Sequence, residues 1–465
     1  MIFRLFALAV LIAGIPVLAQ ELQTGTVHEK IVCQQDPSQS YALYLPKAYT
    51  PERRWPIIYA FDPFARGSAP VELMKAAAER AGFIVAGSNN SRNGPVKDSI
   101  AAAQAMWADT HQRLAIDQKQ RYATGLSGGA RVAATLAQLC GNCIAGVVGQ
   151  SAGFHDSTPP TKNTQFVFFG TAGNLDFNYT ELVELDKKLN DLQLPHRIRI
   201  FSGSHQYATP EVWDEAFAWL ELHAMRRGLR PRDQSFIAQQ QKAGLERAAQ
   251  FEAHGDLLEA LREYRGLVAD FEGLADTSTA AARLSEFQSH KNVKEALKAD
   301  RVAIERQRHD FQEAYTTLEL VRTEPENAAT ALARVGGQLS VLRSQVRKNK
   351  DENTPQVIPV RRTLLQILSQ AIEMGQQATR DREYALAITY FDFVIQYARA
   401  APLAHFEKAR ALALAERNKD VLPELRKAVE AGFDEPAAIE SAAEFAHLHN
   451  SPEFREIVQS ARQKR

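Results

Sequence analysis

An excess of charge of either sign is the first thing this sequence lacks. Lys plus Arg number 55 and Asp plus Glu number 55, so the formal net charge is zero and the pI is about 7.2. Nothing in that balance draws the chain to nucleic acid or to an anionic membrane, and no nucleic-acid partner is expected. Cysteine is scarce, with three in 465 residues. Cys140 and Cys143 form a C-x-x-C and leave Cys33 over. There is no second pair and no histidine beside the first, so zinc has little support. The pair also follows a helical run rather than opening one, which argues against redox catalysis. A local structural disulfide is the expectation.

Long apolar runs are absent after residue 20, so no later segment is expected to span a membrane. The first twenty residues differ. Arg4 supplies one positive charge, Leu5 to Leu18 is almost wholly apolar, and Val17-Leu18-Ala19 ends in a small residue before Gln20. That is the pattern of a secretory signal peptide, residues 1–19, cleaved after Ala19. No cysteine follows the cleavage point, so lipid attachment has no support. The expected location is secreted or periplasmic, where a disulfide is permitted.

What is present divides into two textures. A length of 465 residues suits two to four domains. Over 24–228, short apolar runs such as Pro56-Ile57-Ile58-Tyr59-Ala60-Phe61 and Phe83-Ile84-Val85-Ala86-Gly87 alternate with helical stretches, among them Leu73 to Ala81 and Ser99 to Leu114. Further strands are expected at Tyr41–Leu45, Tyr122–Gly125, Ile144–Gly149, Gln165–Gly170 and Arg197–Phe201, with helices at Thr180–Leu192 and Pro210–Arg226. This alternation predicts a mostly parallel sheet with helices on both faces. Beyond Arg230-Pro231-Arg232-Asp233, strand signals thin out, and apolar residues recur at helical spacing over 232–465. Turns at Gly255-Asp256, near Asp381 and near Asn418 divide helix pairs, the last two turns about 37 residues apart. That spacing and the small residues Ala409, Ala413 and Ala428 resemble tetratricopeptide repeats. The consensus Trp and Leu-Gly of the first repeat helix are missing. The stretch 275–360 is helical without a clean repeat, and Pro355 and Pro359 are taken to mark a loop in it.

The chemistry centres on Gly125-Leu126-Ser127-Gly128-Gly129, a G-x-S-x-G between a strand and a small-residue helix. A serine hydroxyl is a poor nucleophile unless a base, an oriented imidazole and oxyanion donors surround it. His205 follows the strand Arg197–Phe201 directly and precedes a helix, the position a base would need. His196 lies before that strand, His223 falls within the helix, and His155 precedes any acid on offer. Asp176 follows a strand and a Gly-containing loop, whereas Asp186 and Asp191 fall on the next helix. Asp176 also suits a helix N-cap. For the oxyanion, the Gly128 N–H is one expected donor, and Phe64 in "YAFDPFARG" the other, Pro63 having no N–H. The loop Ser88–Pro95 ends a strand, so Asn89, Asn90 and Arg92 are candidate substrate contacts, although such residues also favour plain turns.

Residues 24–228 resemble the α/β-hydrolase superfamily, in particular its exported bacterial esterase branch of polyhydroxybutyrate-depolymerase-like, feruloyl-esterase-like and dienelactone-hydrolase-like proteins. The residues carrying the resemblance are "GLSGGARVA", "FFGTAGNLDFNY" and "FSGSHQYATPEVWDEAFAWL". It implies an α/β-hydrolase domain followed by an all-α region, with Ser127 as nucleophile, Asp176 as acid and His205 as base. It implies a carboxylic ester hydrolase that needs no metal and no cofactor. Little sequence between Ile144 and Gln165 is available for a lid, so an open site suited to bulky or polymeric esters is expected. The helical half is expected to bind a partner protein or substrate on a concave face. An amidase or peptidase of the same fold, and a non-catalytic scaffold, are the competing readings.

Overall fold

The structure is a computed structural model that describes residues 22–464. The expected signal peptide, residues 1–19, lies outside the described residues. Eight strands form one sheet: β1 (Val27–Val32), β2 (Ser40–Tyr44), β3 (Trp55–Phe61), β4 (Ile84–Ser88), β5 (Ile116–Leu126), β6 (Gly146–Gln150), β7 (Val167–Gly173) and β8 (His196–Phe201). Their order is β1-β2-β4-β3-β5-β6-β7-β8. β2 runs antiparallel to both neighbours, and every pair from β4–β3 to β7–β8 is parallel. Five helices serve the sheet: α1 (Ser68–Ala81), α2 (Val96–Arg113), α3 (Gly128–Leu139), α4 (Tyr179–Asp191) and α5 (Pro210–Arg226). This is the α/β-hydrolase fold.

The apolar runs of the central strands follow from burial on both faces. Along β3, Ile57, Tyr59 and Phe61 enter one core while Ile58 and Ala60 enter the other, as side chains alternate across a strand. The two earliest helices are longer than their apolar stretches suggested, reaching back to Ser68 and Val96. β1 has little signal of its own. It is the edge strand, and its sequence VHEKIV exposes Glu29, Lys30 and Val32. β5 is also longer than the expected Tyr122–Gly125, because its polar first half, Asp117 to Gln120, hides the strand pattern.

The rest of the chain is helical: α6 (Gln234–His254), α7 (Leu257–Phe271), α8 (Ser278–Ser289), α9 (Lys291–Thr323), α10 (Ala328–Arg347), α11 (Ile358–Arg380), α12 (Tyr384–Tyr397), α13 (Pro402–Leu414), α14 (Asn418–Glu430), α15 (Pro436–Ser441) and α16 (Pro452–Lys464). Asp233 opens the array by accepting the Ser235 and Phe236 N–H groups at 3.0 and 3.1 Å, a side-chain cap on orphaned helix donors. Pro359 lies in the first turn of α11 rather than in the preceding loop, where its missing N–H costs nothing.

The array shares its packing with the sheet. Leu222 and Met225 of α5 are buried in one cluster with Ile237, Leu261 and Leu267 of α6 and α7. Ile304 of α9 belongs to the core on one face of the sheet. Arg197 of β8 reaches Glu263 at 2.5 Å and Asp270 at 2.8 Å on α7, all three largely buried.

Candidate active site

β5 delivers Ser127 at the carboxyl end of the sheet, and α3 starts with the next residue. Ser127 has φ 54° and ψ −119°, a backbone conformation that L-residues seldom adopt. The turn is tight because two glycines let backbones meet. A β-carbon on Gly129 would come within 3.0 Å of the Phe61 carbonyl of β3, and one on Gly125 would strike the Gly129 backbone. The Ser127 N–H donates to the Gln150 carbonyl of β6 at 2.8 Å, which ties the turn to the neighbouring strand. Ser127 and Gly128 stay half-buried, within reach of solvent. The Gly128 N–H heads α3, so no carbonyl within the helix can take it, and the helix dipole favours negative charge there.

Asp176 lies in the loop after β7 and His205 in the loop after β8. The two loops are laced together. Leu175 N–H donates to Gly203 O at 2.9 Å, and Gly203 N–H to Asn174 Oδ1 at 3.1 Å. Asp176 is fully buried, and its Oδ1 accepts from the Asn178 N–H and from His205 Nδ1, each at 2.8 Å. A carboxylate only accepts, so Nδ1 carries the proton and Nε2 of the neutral ring is the acceptor. The Phe177 ring stacks on the His205 imidazole with centroids 4.0 Å apart. The N-cap position of α4 belongs to Asn178, not Asp176. After His205 the chain closes back toward the elbow. Ala208 N–H donates to Gln150 Oε1 at 2.8 Å, from the residue whose carbonyl holds Ser127.

Other expected residues are engaged differently. The Phe64 N–H donates to Asp62 Oδ1 at 2.8 Å, and the Ala65 N–H to the Asp62 carbonyl at 3.2 Å. The Phe64 amide is therefore already used inside its own turn, which corrects its assignment as an oxyanion donor. The reason is local: an Asp two residues back captures the amide, as Asx turns do. Asn89 and Asn90 also depart from expectation. Asn89 Nδ2 donates to Glu29 O at 3.1 Å, and Asn90 spans Ser40 N–H and Ser38 O at 2.8 and 3.1 Å. Both fasten β1 and β2 rather than a substrate. Arg92 is exposed, and its backbone pairs with Phe64 in an isolated bridge.

Asn93, next in the same loop, is the residue the sequence reading missed. Its side chain stands so close to Gly128 that a β-carbon there would overlap Oδ1. Asp62 was missed as well. It is fully buried and receives the Arg66 guanidinium at 2.9 Å and the Tyr207 hydroxyl at 2.9 Å. Burial first, then the Asp62 charge, pushes the Tyr207 phenol well above its ordinary value. Tyr207 therefore stays neutral and links the loop after β3 to the loop of His205. Neither residue has a periodicity or motif that would have marked it.

The helical array also reaches the loops around the site. Glu373 of α11 is exposed to solvent, with protein crowding its carboxyl. That crowding pushes its carboxyl above its ordinary value, against the pull of nearby Arg131 and His205. Arg131, in the first turn of α3, is held by both oxygens of Glu181 at 2.7 and 2.8 Å. On the other side Glu435, just before α15, pairs with Arg66. Cys140 and Cys143 form a disulfide after α3, and Cys33 is a buried free thiol.

No protein-family profile matches the chain, and no curated protein does. Solved structures similar to it include the S-formylglutathione hydrolase FrmB of Staphylococcus aureus, 14% identical over 43% of this chain and 98% of that one, TM-score 0.35. A ferulic acid esterase is 16% identical over 41% of this chain and 94% of that one, TM-score 0.33. Est1E from Butyrivibrio proteoclasticus is 12% identical over 43% of this chain and all of its own length, TM-score 0.34.

Proposed function

We propose that residues 24–228 form a serine hydrolase that cleaves carboxylic esters through Ser127, His205 and Asp176. The observation that carries this reading is the buried Asp176 holding His205 Nδ1 at 2.8 Å, at the carboxyl end of the sheet where Ser127 sits in a positive-φ elbow. In the reaction, His205 Nε2 takes the Ser127 proton as Oγ attacks the ester carbonyl. Asp176 stabilises the imidazolium and keeps the ring oriented. The oxyanion is met by the Gly128 N–H, and Asn93, whose Oδ1 is the atom nearest Gly128, takes the second position first expected of Phe64 by turning its amide so that Nδ2 donates. His205 then gives its proton to the departing alkoxide. Water, deprotonated by His205, attacks the acyl-enzyme, and the collapse returns the proton to Ser127. No step requires a metal or organic cofactor.

The chain is further proposed to act outside the cytoplasm after loss of residues 1–19. The Cys140–Cys143 disulfide suits an oxidising compartment. Cell fractionation tests this, and retention of the uncut chain in the cytosol would overturn it.

The hydrolase reading is tested by labelling the purified protein with a fluorophosphonate probe beside Ser127→Ala and His205→Ala. Labelling of the wild type that both substitutions abolish, with an ester panel hydrolysed and amides not, is the expected result. A folded wild type that never labels would favour the scaffold reading instead.

A further inference from the structure

The helical array holds the loop that carries Asp176 by its backbone. Arg362 of α11 donates Nη1–H to the Asn174 carbonyl at 3.2 Å. Its Nε–H donates to Gln307 Oε1 at 3.1 Å, and Gln307 of α9 donates Nε2–H to the Phe177 carbonyl at 3.4 Å. The two carbonyls flank Asp176, two residues before it and one after. Tyr179 continues the grip. Its ring lies under the Arg362 guanidinium at 3.8 Å, and its hydroxyl meets Asp300 at 3.1 Å and Arg262 at 3.3 Å.

These polar groups are deeply buried, with Arg362 3% exposed and Gln307 1% exposed. Burying a guanidinium is costly unless its donors are used, and an apolar side chain would pack two helices against a domain at less cost. One donor of each goes to the same backbone segment, Arg362 Nη1 to Asn174 and Gln307 Nε2 to Phe177, while Gln307 Nε2 also meets Gln366 Oε1 at 3.0 Å and Arg362 Nη2 has no hydrogen-bond partner. That segment has two direct effects on the imidazole: Asp176 holds Nδ1, and the Phe177 ring stacks on its face. Displacing it by 1 Å would move both.

We infer that Arg362, with Gln307, is a positioning residue of the reacting centre, by which the helical array sets the Asp176–His205 pair. The inference rests on the proposed triad. It makes the array a working part of the hydrolase rather than an appendage.

The test compares wild type with Arg362→Met, which keeps bulk but removes the donors, and with Arg362→Lys. Two readouts are taken on the full chain. One is the rate of fluorophosphonate labelling and of ester turnover. The other is the downfield proton resonance of a histidine Nδ1–H bound to carboxylate, which needs no turnover. The expected result is a fall of about 10- to 100-fold in labelling rate and kcat for Arg362→Met. KM should change less, the downfield resonance should shift or broaden, and Arg362→Lys should be intermediate. A wild-type labelling rate together with a wild-type resonance in a folded Arg362→Met protein overturns the inference. Should the wild type not label at all, the triad reading fails and the resonance alone decides the positioning. Should Arg362→Met not fold, Gln307→Leu, which removes the donor to Phe177 and Gln366 and the acceptor for Arg362 Nε–H but keeps the Arg362 contact with Asn174, is measured in the same way.

Discussion

The side chain of Asn93 stands against the α-carbon of Gly128, closely enough that no β-carbon fits between them. Asn93 comes from an exposed loop, and Gly128 opens the helix after the elbow. An amide at that spot has a use in acyl transfer, where a donor next to the first helical N–H can meet developing negative charge. Asn93→Ala is expected to lower kcat by about 10²- to 10³-fold, the usual cost of one oxyanion donor. Thermal unfolding should stay where it is, because the side chain is on the surface. Unchanged ester turnover in Asn93→Ala would remove it from the site.

The neighbouring glycines separate activity from folding. At Gly128 the obstacle is a side chain that can swing away, whereas at Gly129 it is the Phe61 backbone carbonyl. Gly128→Ala should fold and lose activity with Asn93 displaced. Gly129→Ala should lose about 1–3 kcal/mol of stability or fail to fold. At the strained serine the sign reverses. Ser127→Gly should be about 1 kcal/mol more stable than Ser127→Ala, since glycine adopts φ 54° without penalty. Urea unfolding of the four variants checks the stabilities, and ester turnover checks the loss of activity in Gly128→Ala.

The cysteines give a count that depends on folding. Burial first, then the nearby Asp109 charge, pushes the Cys33 thiol up to about 11, and Cys140 is bonded to Cys143. Only the thiolate reacts with disulfide reagents. At pH 8 the native protein should therefore expose no reactive thiol. One should appear on unfolding, and all three on unfolding with reductant. A rapid native thiol at pH 8 would contradict the burial of Cys33.

Acid should weaken the far end of the array through Glu424. Burial alone would raise its carboxyl, but the His405 hydrogen bond at 2.6 Å and the Lys408 and Lys427 charges win and hold it at about 2. A depressed carboxyl adds stability that is whole above its ordinary value near 4.5 and lost as pH falls through about 2. The shift corresponds to about 3 kcal/mol at most. Glu424→Gln should be less stable than wild type at pH 7, with the gap closing between pH 4.5 and 2. A gap of the same size at pH 2 and pH 7 would show that the charge is irrelevant.

Much of the sheet and its best-marked residues was legible because the signals are local. β3, β4, β6 and β7 are apolar runs bounded by polar loops, and the chain order of Ser127, Asp176 and His205 follows the order of β5, β7 and β8. β1 was not legible, because an edge strand that exposes Glu29 and Lys30 has no apolar pattern. Phe64 was misjudged because the Asp62 carboxylate competes for its amide. Asn89, Asn90 and Asn93 look alike in sequence, and only the fold sends the first two to β1 and β2 and the third to Gly128.

The sequence by itself determined the alternating strand and helix periods, the glycines that allow the elbow, and the helical turns at Gly255, Asp381 and Asn418. Each is a matter of which face is buried or which backbone angle is allowed within a few residues. Tertiary structure decided what stands over the carboxyl ends of the strands. Arg362 meets the Asn174 carbonyl across 188 residues of chain, and Glu435 meets Arg66 across 369. A donor that finds its acceptor at that separation leaves no period, cap or motif beside it. The pairing exists only once two independently patterned halves are packed together.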